Sequence, residues 1–454
     1  MFLLYIKICY ERCSFDYIWN VRFFIYIFSI AIFGCSSKTS QTPKSNSYSN
    51  FQNVSPESVG ISSERLNRID KYFENSISEN IIPGAVTLIV KDGKIVYHKA
   101  FGNENVYKEV KFQKDNIFRI ASMTKAITSL AVMMLWEEGD FSLDDPIEKF
   151  IPEFKNHRIL KKFNKIDSTY TSIKANKKIT IRHLLTHSSG LGYGFIDSNP
   201  EMKAIFAKKN KKFMNNGVMC FCDEEVKIEN VIKNIAKYPL HHEPGKQFTY
   251  SVGLDVLGYF IELQSGMSLN DFFRKRIFDP LGMNDTQFYI ESDKNERLVS
   301  VQTKKDGKWE DFNDNRFNVN YPIEGSKSLF FGGCGLTSTV TDYAKFLQMI
   351  LNKGKNNGNQ IVGKKTIEII TEGQNISAGG NQLSLAFVVL TDKDLYKGYG
   401  GSSGTLSTGG YWNTSAFVDP VENIIGIIYK QTYDIENDPT SAAFRRLVFQ
   451  SIIE

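Results

Sequence analysis

The sequence lacks the features that define several classes of protein. Its six cysteines among 454 residues form no even, widely spaced framework, so a disulfide-stapled scaffold is not expected. The formal net charge of +5 is small and is spread among many acidic residues, which does not favour a nucleic-acid-binding protein. The Cys-Phe-Cys stretch has no second ligand pair, and the adjacent His241 and His242 belong to no H-E-x-x-H spacing. We therefore expect no metal site.

The apolar run near the start, Phe23 to Phe33, is too short to span a bilayer comfortably but has the length of a signal-peptide core. Arg22 precedes it, and it ends in Ile-Phe-Gly-Cys, which resembles the bacterial lipobox. We expect residues 1–34 to be a signal peptide and Cys35 to carry lipid, with residues 35–51 as a Ser/Thr/Asn-rich tether. This predicts an exported bacterial lipoprotein on the periplasmic side of a membrane or at the cell surface. An ordinary membrane anchor, or a cysteine that stands there by chance, is the alternative.

The remaining residues, 52–454, have the pattern of one folded domain. Residues 62–77 have helical periodicity after a serine cap, and residues 84–102 form two β-rich runs around Asp92-Gly93. Residues 180–300 are mostly helical or loop. More β-rich runs and a terminal helix follow, at 383–390, 415–420, 423–432 and 438–454. The order predicts an α+β fold: an antiparallel sheet built from both chain ends and flanked by N- and C-terminal helices, with a mostly helical lobe inserted.

The stretch Ala-Ser-Met-Thr-Lys at 121–125 combines a serine and a lysine with an apolar helix. We expect a buried helix from Ser122 to Gly139, in which Lys125 lies one turn beyond Ser122 on the same face. A buried ammonium must find partners or lose its proton, and a lysine whose pKa is lowered can take a proton from a neighbouring hydroxyl. The four-residue pattern also fits a capping serine followed by a lysine that reaches solvent.

Six blocks, taken together and in order, resolve that ambiguity. They are residues 118–154, 179–191, 243–262, 280–288, 332–354 and 407–420. These blocks resemble the serine β-lactamase and penicillin-binding-protein superfamily, specifically its class-C-like branch of esterases, peptidases and β-lactamases. The resemblance covers roughly residues 55–450. It implies a serine hydrolase of β-lactamase/DD-peptidase-like fold that needs no cofactor.

The resemblance assigns roles to individual residues. It implies that Ser122 is the acylated nucleophile, with Lys125 and Tyr250 sharing its protons. The third family box matches Thr408-Gly409-Gly410, or, with a shift of one residue, Ser407-Thr408-Gly409. The resemblance implies that Val252, Thr408, Gly409 and Gly410 lie on the substrate side of the site. On the first alignment the backbone N–H groups of Ser122 and Tyr411 form the oxyanion hole.

Two departures from the β-lactamase pattern affect the expected substrate. Val252 stands where an asparagine usually holds a substrate amide, and Thr408 stands where a lysine or histidine usually meets a substrate carboxylate. The chain is therefore expected to be esterase-like, acting on a small-molecule ester, amide or peptide. A D-amino-acid peptidase or class-C-like β-lactamase is the alternative. A catalytically silent binding protein of the same fold is the alternative of another class.

Two further residues invite a catalytic interpretation. Ser402 lies in a Gly-x-Ser-x-Gly stretch, but the sequence on either side does not have the strand and the helix that a nucleophile elbow requires. His187 lies in the block Thr-His-Ser-Ser-Gly, which is structural in the family it resembles. We expect a loop serine and a capping or core histidine.

Overall fold

The computed structural model describes residues 51–454, except 210–225, 315, 316, 319 and 434–437. The expected signal peptide, Cys35 and all but the end of the tether lie outside these residues, so the expectations about them stay predictions. Within the described part of the chain, no helix is both long and apolar enough to cross a membrane. Cys334 forms a disulfide bond, which the cysteine spacing did not predict.

The described residues contain twelve α-helices. They are α1 Ser63–Ser78, α2 Thr124–Glu137, α3 Ile181–Leu185, α4 Pro200–Lys209, α5 Ile228–Ile235, α6 Gly253–Ser265, α7 Leu269–Phe273, α8 Asp279–Leu281, α9 Val340–Leu351, α10 Lys364–Thr371, α11 Asp392–Leu395 and α12 Thr440–Gln450.

The strands fall into one large sheet and several small ones. They are β1 Gln52–Asn53, β2 Gly84–Lys91, β3 Lys94–Asn105, β4 Val110–Lys111, β5 Phe118–Arg119, β6 Arg158–Phe163, β7 Tyr170–Lys174, β8 Gln302–Lys305, β9 Lys308–Asp311, β10 Thr337–Ser338, β11 Lys355–Asn356, β12 Asn359–Gln360, β13 Ser377–Ala378, β14 Asn381–Leu383, β15 Val388–Val389, β16 Leu406–Gly410, β17 Thr414–Asp419, β18 Ile424–Tyr429 and β19 Thr432–Tyr433.

The large sheet joins both ends of the chain, as the sequence predicts. Its strand order is β1-β3-β2-β18-β17-β16-β15-β14-β13, and β18 pairs antiparallel with β2. The short pair β1–β3 is parallel, while the other neighbours along this order are antiparallel. The β2–β3 turn has Asp92 and Gly93 both at positive φ, the geometry of a two-residue hairpin that an Asp-Gly pair favours.

Helices cover both faces of the central strands, because every residue of β2 and β18 is buried. On one face α1 packs beside α12, and its apolar stripe of Leu66, Ile69 and Phe73 joins a core with Phe444. On the other face lie α9 and the buried helix α2, which packs on α6 of the inserted lobe. The expected α+β fold is therefore confirmed.

The structure differs from the sequence expectation in three places. Ser122 precedes α2 in a short 3₁₀ turn, Ala121–Met123, and does not begin the α-helix. Residues 383–390 form two short strands, since Ser384 closes a turn by accepting the Phe387 N–H at 2.9 Å. The hairpin of β6 and β7 was not predicted from its lysine-rich sequence.

Candidate active site

Ser122 is held between strand β16 of the large sheet and the start of α2. Ala121 has φ +43°, a left-handed conformation that is unusual for alanine, and it turns the chain into the 3₁₀ turn. Strand β16 runs directly alongside. A Cβ on Gly410 would lie 2.3 Å from the Ile120 carbonyl oxygen, so only glycine permits this close approach.

Lys125 is buried, with 8% of its surface exposed, and it finds partners for its ammonium group. Its Nζ donates to the Gly333 carbonyl at 2.6 Å and lies 3.2 Å from Ser122 Oγ. The same atom lies 5.0 and 4.9 Å from the ring centres of Tyr193 and Tyr250, within the range of a cation–π contact. The lysine is therefore fixed one turn beyond Ser122, as the spacing predicts.

Tyr250 reaches Ser122 from the inserted lobe. Its hydroxyl donates to Ser122 Oγ at 2.7 Å. Two backbone hydrogen bonds hold its segment: Thr249 N–H donates to the His187 carbonyl at 2.8 Å, and Val252 N–H donates to the Gly192 carbonyl at 3.1 Å. The hydroxyl, ammonium and phenol groups thus converge within hydrogen-bonding distance, which is the arrangement that a Ser–Lys–Tyr mechanism requires.

A second tyrosine, Tyr193, was missed by the sequence reasoning. Its buried ring stacks on Tyr250 with centroids 5.2 Å apart, and its hydroxyl lies 3.3 Å from Lys125 Nζ. Burial, followed by the nearby Asp255 charge, raises the pKa of Tyr193 well above its ordinary value, so this phenol stays protonated. The only sequence signal was its position a few residues after the Thr-His-Ser-Ser-Gly block.

The sequence reasoning also missed a buried carboxylate behind Lys125. Asp255, in α6, has no exposed surface, and its Oδ1 accepts the Gly333 N–H at 2.8 Å. The Gly333 carbonyl in turn accepts from Lys125, so one residue joins the carboxylate to the ammonium. Burial raises the pKa of Asp255 to about 6, with the Lys125 charge acting in the opposite direction. A lone acidic residue in the apolar run Gly-Leu-Asp-Val-Leu was the available signal.

His187 lies beside Tyr250 but is not suited to acid–base work near neutral pH. Burial, with the Lys125 charge as a smaller cause, lowers the pKa of His187 to about 3. Its Nδ1 accepts the Ser251 N–H at 3.2 Å, which fixes the ring against Tyr250 with centroids 4.8 Å apart. This position fits the expected core histidine.

The alternation of β16 distinguishes the two alignments of the third box. Leu390 N–H donates to the Thr405 carbonyl at 2.8 Å, so the backbone groups of Thr405 point towards the β15 side of the strand. Backbone groups alternate along a strand, and the Gly410 carbonyl accepts from Asn413 in the turn to β17. The N–H groups of Gly409 and Tyr411 then point away from β17, and that of Gly410 points towards it. This favours the alignment in which Tyr411 N–H faces the site.

An open cleft of about 670 Å³ adjoins these groups. Ser407, Thr408 and Gly409 of β16 form one side of it, with apolar side chains around them. Among the described residues that line the cleft, Lys125 is the single cation, and the Gly333 carbonyl already accepts from it. The apolar lining residues are Leu185, Phe248, Leu254, Ala378, Leu383, Leu385, Ala386, Phe387 and Val388.

Two residues predicted for the substrate side lie elsewhere. Val252 is 2% exposed and lines a separate cavity of about 360 Å³ inside the helical lobe. Gly410 packs against the chain before Ser122 rather than lining the cleft. The expected role of Val252 in touching substrate is therefore not supported by its position.

The competing sites have structural roles. Ser402 lies in a loop with neither a strand before it nor a helix after it, and its N–H donates to Asp419 at 2.7 Å. His241 lies 2.9 Å from Asp197, which accepts the Tyr193 N–H and so supports that loop. Within the described ranges, no group of three or more His, Cys, Asp or Glu side chains is arranged to hold a metal ion.

Comparison with known proteins agrees with this geometry. The family model described as Beta-lactamase matches residues 69–449. Lovastatin esterase of Penicillium rubens is 30% identical over 387 residues, 79% of this chain and 91% of that protein. Esterase EstB of Burkholderia gladioli is 29% identical over 221 residues, 49% of this chain and 51% of that protein. The solved structure of EstCE1, a hydrolase with promiscuous acyltransferase activity, has the same fold with a TM-score of 0.70 at 23% identity, covering 85% of this chain and 98% of that one.

Proposed function

The chain belongs to the beta-lactamase family, and we propose that it is an esterase-like serine hydrolase that acts through an acyl-enzyme on Ser122. The observation that carries the proposal is the position of Ser122 Oγ, 2.7 Å from Tyr250 Oη and 3.2 Å from Lys125 Nζ. Two relatives named as esterases support the reaction class.

In the reactive form Tyr250 is the phenolate beside the Lys125 ammonium. Ser122 Oγ forms a bond to the carbonyl carbon of the ester and gives its proton to Tyr250 Oη, while the backbone N–H groups of Ser122 and Tyr411 stabilise the oxyanion. The bond to the leaving oxygen then breaks, and that oxygen takes the proton from Tyr250 and departs as the alcohol. In the second half-reaction, water bonds to the acyl carbon and gives a proton to Tyr250; the bond from that carbon to Ser122 Oγ then breaks, Ser122 takes up the proton, and the acid is released.

Asp255, Gly333 and Tyr193 are positioning groups in this scheme. The Gly333 peptide holds Lys125 through its carbonyl and is itself held by Asp255. The carboxylate also offsets the ammonium charge in a buried site, where an isolated charge is costly. Tyr193 stacks on Tyr250 and limits the orientations that its phenol can adopt.

The cleft favours an ester over a penicillin or a peptide with a free carboxylate. A charge-assisted hydrogen bond to such a carboxylate contributes on the order of 1.5–3 kcal/mol. Thr408 cannot supply one, and the described cleft lining holds no cation besides Lys125. The apolar side chains around Ser122 suit an uncharged acyl group.

We also propose that Cys35 anchors the domain to a membrane through lipid, as an exported lipoprotein. This proposal is supported by the lipobox-like sequence and the polar stretch after it. It is independent of the hydrolase assignment.

The function is tested by comparing kcat/KM for p-nitrophenyl acetate or butyrate with that for nitrocefin and with turnover of D-Ala-D-Ala peptides. We expect the ester to exceed nitrocefin by at least about tenfold, since each 1.4 kcal/mol is tenfold in rate. Thr408→Lys should narrow the gap, and Ser122→Ala should abolish both activities. Faster nitrocefin or peptide turnover would instead assign the β-lactamase or peptidase activity, and no turnover of any substrate would indicate a silent binding protein.

A further inference from the structure

The positive charge of the protein is concentrated in one hairpin. Residues 155–178, which we call the basic hairpin, contain eight lysines and arginines and a single acidic residue, Asp167. This segment has a net charge of +7, while the whole chain has +5, so the other 430 residues together carry −2. The concentration is therefore local and does not reflect a lysine-rich surface in general.

Most of these charges are not neutralised by the protein. Lys178 pairs with Glu148 at 2.8 Å. Within the described part of the chain, Lys161, Lys162, Lys165 and Lys174 have no carboxylate partner, and all four are exposed. Because these lysines are unpaired and lie on an exposed two-stranded ribbon, their charge can attract a negatively charged partner.

The apex of the basic hairpin exposes a large aliphatic side chain in an ordered turn. Ile166 is 95% exposed, and on β7 the side chain of Ile173 is 48% exposed. Asn164 N–H donates to the Thr169 carbonyl at 2.8 Å and Ile166 N–H donates to Asn164 Oδ1 at 3.0 Å, so the turn is closed by its own hydrogen bonds. One exposed isoleucine is common on protein surfaces. Here it stands at the tip, directly between Lys165 and Asp167, with Lys161, Lys162 and Lys174 further along the two strands.

We propose that the basic hairpin docks the protein onto an anionic phospholipid surface, with Ile166 inserted between the headgroups and the lysines around it in contact with lipid phosphates. This combination of an apolar tip and a basic collar is what an interfacial anchor requires. Lysines near a negatively charged leaflet each strengthen binding about fivefold. An acidic protein or a nucleic acid would use the charge but not the aliphatic tip.

The hairpin is also joined to the part of the lobe that carries Tyr250. Leu160 N–H donates to the Leu240 carbonyl at 2.9 Å, and Asn176 N–H donates to Glu243 at 3.0 Å. Docking would therefore set the orientation of the lobe that completes the active site relative to the membrane. The proposal does not depend on catalysis or on lipid at Cys35.

The test measures how the full chain partitions between buffer and vesicles of phosphatidylcholine, either alone or with one-third phosphatidylglycerol. The readout is the ratio of anionic to neutral binding, so that any contribution of the apolar run before Cys35 or of lipid at Cys35, which does not depend on the charge of the vesicle, cancels. A triple variant, Lys161→Gln with Lys162→Gln and Lys165→Gln, should lower this ratio on the order of a hundredfold. The control removes the same charge from the β8–β9 hairpin and should leave the ratio nearly unchanged. Its substitutions are Lys304→Gln, Lys305→Gln and Lys308→Gln.

Two further measurements separate the membrane from other anionic partners. Ile166→Ser should weaken binding to anionic vesicles by about tenfold, because one aliphatic side chain no longer leaves water. Hydrogen exchange in residues 155–178 should slow on anionic vesicles and not on neutral ones. An unchanged ratio in the triple variant, or an equal loss in the control, would overturn the proposal. Binding to polyglutamate or RNA that matches vesicle binding, with no effect of Ile166→Ser, would also overturn it. Unaltered melting temperature and ester hydrolysis without vesicles establish that each variant is folded.

Discussion

Replacing Asp255 by asparagine should make the protein more stable and less active at neutral pH. The substitution keeps the shape of the side chain and an oxygen that can accept the Gly333 N–H, but it removes the charge. The carboxylate has no exposed surface, and its Oδ2 has no hydrogen-bond partner among the described residues. The native state therefore holds this charge at a cost, which the neutral amide avoids.

The size of the stability penalty follows from the pKa of Asp255, which burial raises from 3.8 to about 6. At 1.36 kcal/mol per pKa unit, this difference corresponds to about 3 kcal/mol. Because the folded-state pKa is the higher one, the native state binds the proton more tightly than the unfolded chain does. The penalty is therefore absent below about pH 4, develops between about pH 4 and 6, and is complete at pH 7. In the variant, the asparagine Nδ2 is left without an acceptor. This costs about 1–3 kcal/mol of stability at every pH and offsets part of the gain from removing the charge.

The loss of activity has a separate origin. The Asp255 charge faces the Lys125 ammonium across one residue, a separation of roughly 7 Å, which at an effective dielectric constant of 20 is about 2 kcal/mol. If that charge supports the transition state, Asp255→Asn lowers kcat/KM about thirtyfold. The wild-type rate should also fall on the acid side near pH 6, where Asp255 takes up a proton, and the variant should lack this limb.

The assay is urea unfolding of both proteins at pH 7 and pH 4, with ester kinetics across the same range. The stability of the variant relative to wild type should decrease by about 3 kcal/mol between pH 7 and pH 4. An equal difference at both pH values, together with undiminished kcat/KM, would refute the reasoning about Asp255.

Three other substitutions test separate parts of the account. Tyr250→Phe removes the 2.7 Å hydrogen bond to Ser122 and should lower kcat by about 10²–10⁴, whereas Tyr193→Phe, whose phenol does not contact Ser122, should lose about tenfold or less; equal effects would contradict the assignment. Gly410→Ala places a Cβ 2.3 Å from the Ile120 carbonyl and should cost about 1–3 kcal/mol of stability, while Gly409→Ala, whose nearest neighbour is 3.4 Å away, should be tolerated in urea unfolding. Cys35→Ala should abolish metabolic labelling with an alkyne fatty acid, and equal labelling of both proteins would remove the lipoprotein proposal.

The sequence predicted the fold and the Ser122–Lys125 pair because both depend on local patterns. The Asp-Gly turn, the serine-capped helix α1 and the spacing of Ser122 and Lys125 are each set within a few residues. Tyr250 required the family resemblance, since it lies 128 residues from Ser122. No local rule links positions so far apart.

The positioning groups and the direction of single side chains could not be predicted. Asp255 and Gly333 lie 78 residues apart and meet only after the lobe has folded. Val252 matches a substrate-contacting position by its spacing from Tyr250, but in the folded lobe its side chain is buried at a separate cavity. Ser122 lies in a 3₁₀ turn because Ala121 has a left-handed conformation, which tertiary packing imposes against its own preference.

The most direct test of the central claim is the intact mass of the protein after reaction with a fluorophosphonate probe. Ser122 lies beside a lysine and a tyrosine that can take its proton, so the wild type should gain the mass of one phosphonyl group, mapped by peptide sequencing to Ser122. Ser402→Ala should be labelled at the wild-type rate, and Ser122→Ala should not be labelled. Labelling that persists in Ser122→Ala, or a wild type that remains unmodified, would contradict the account.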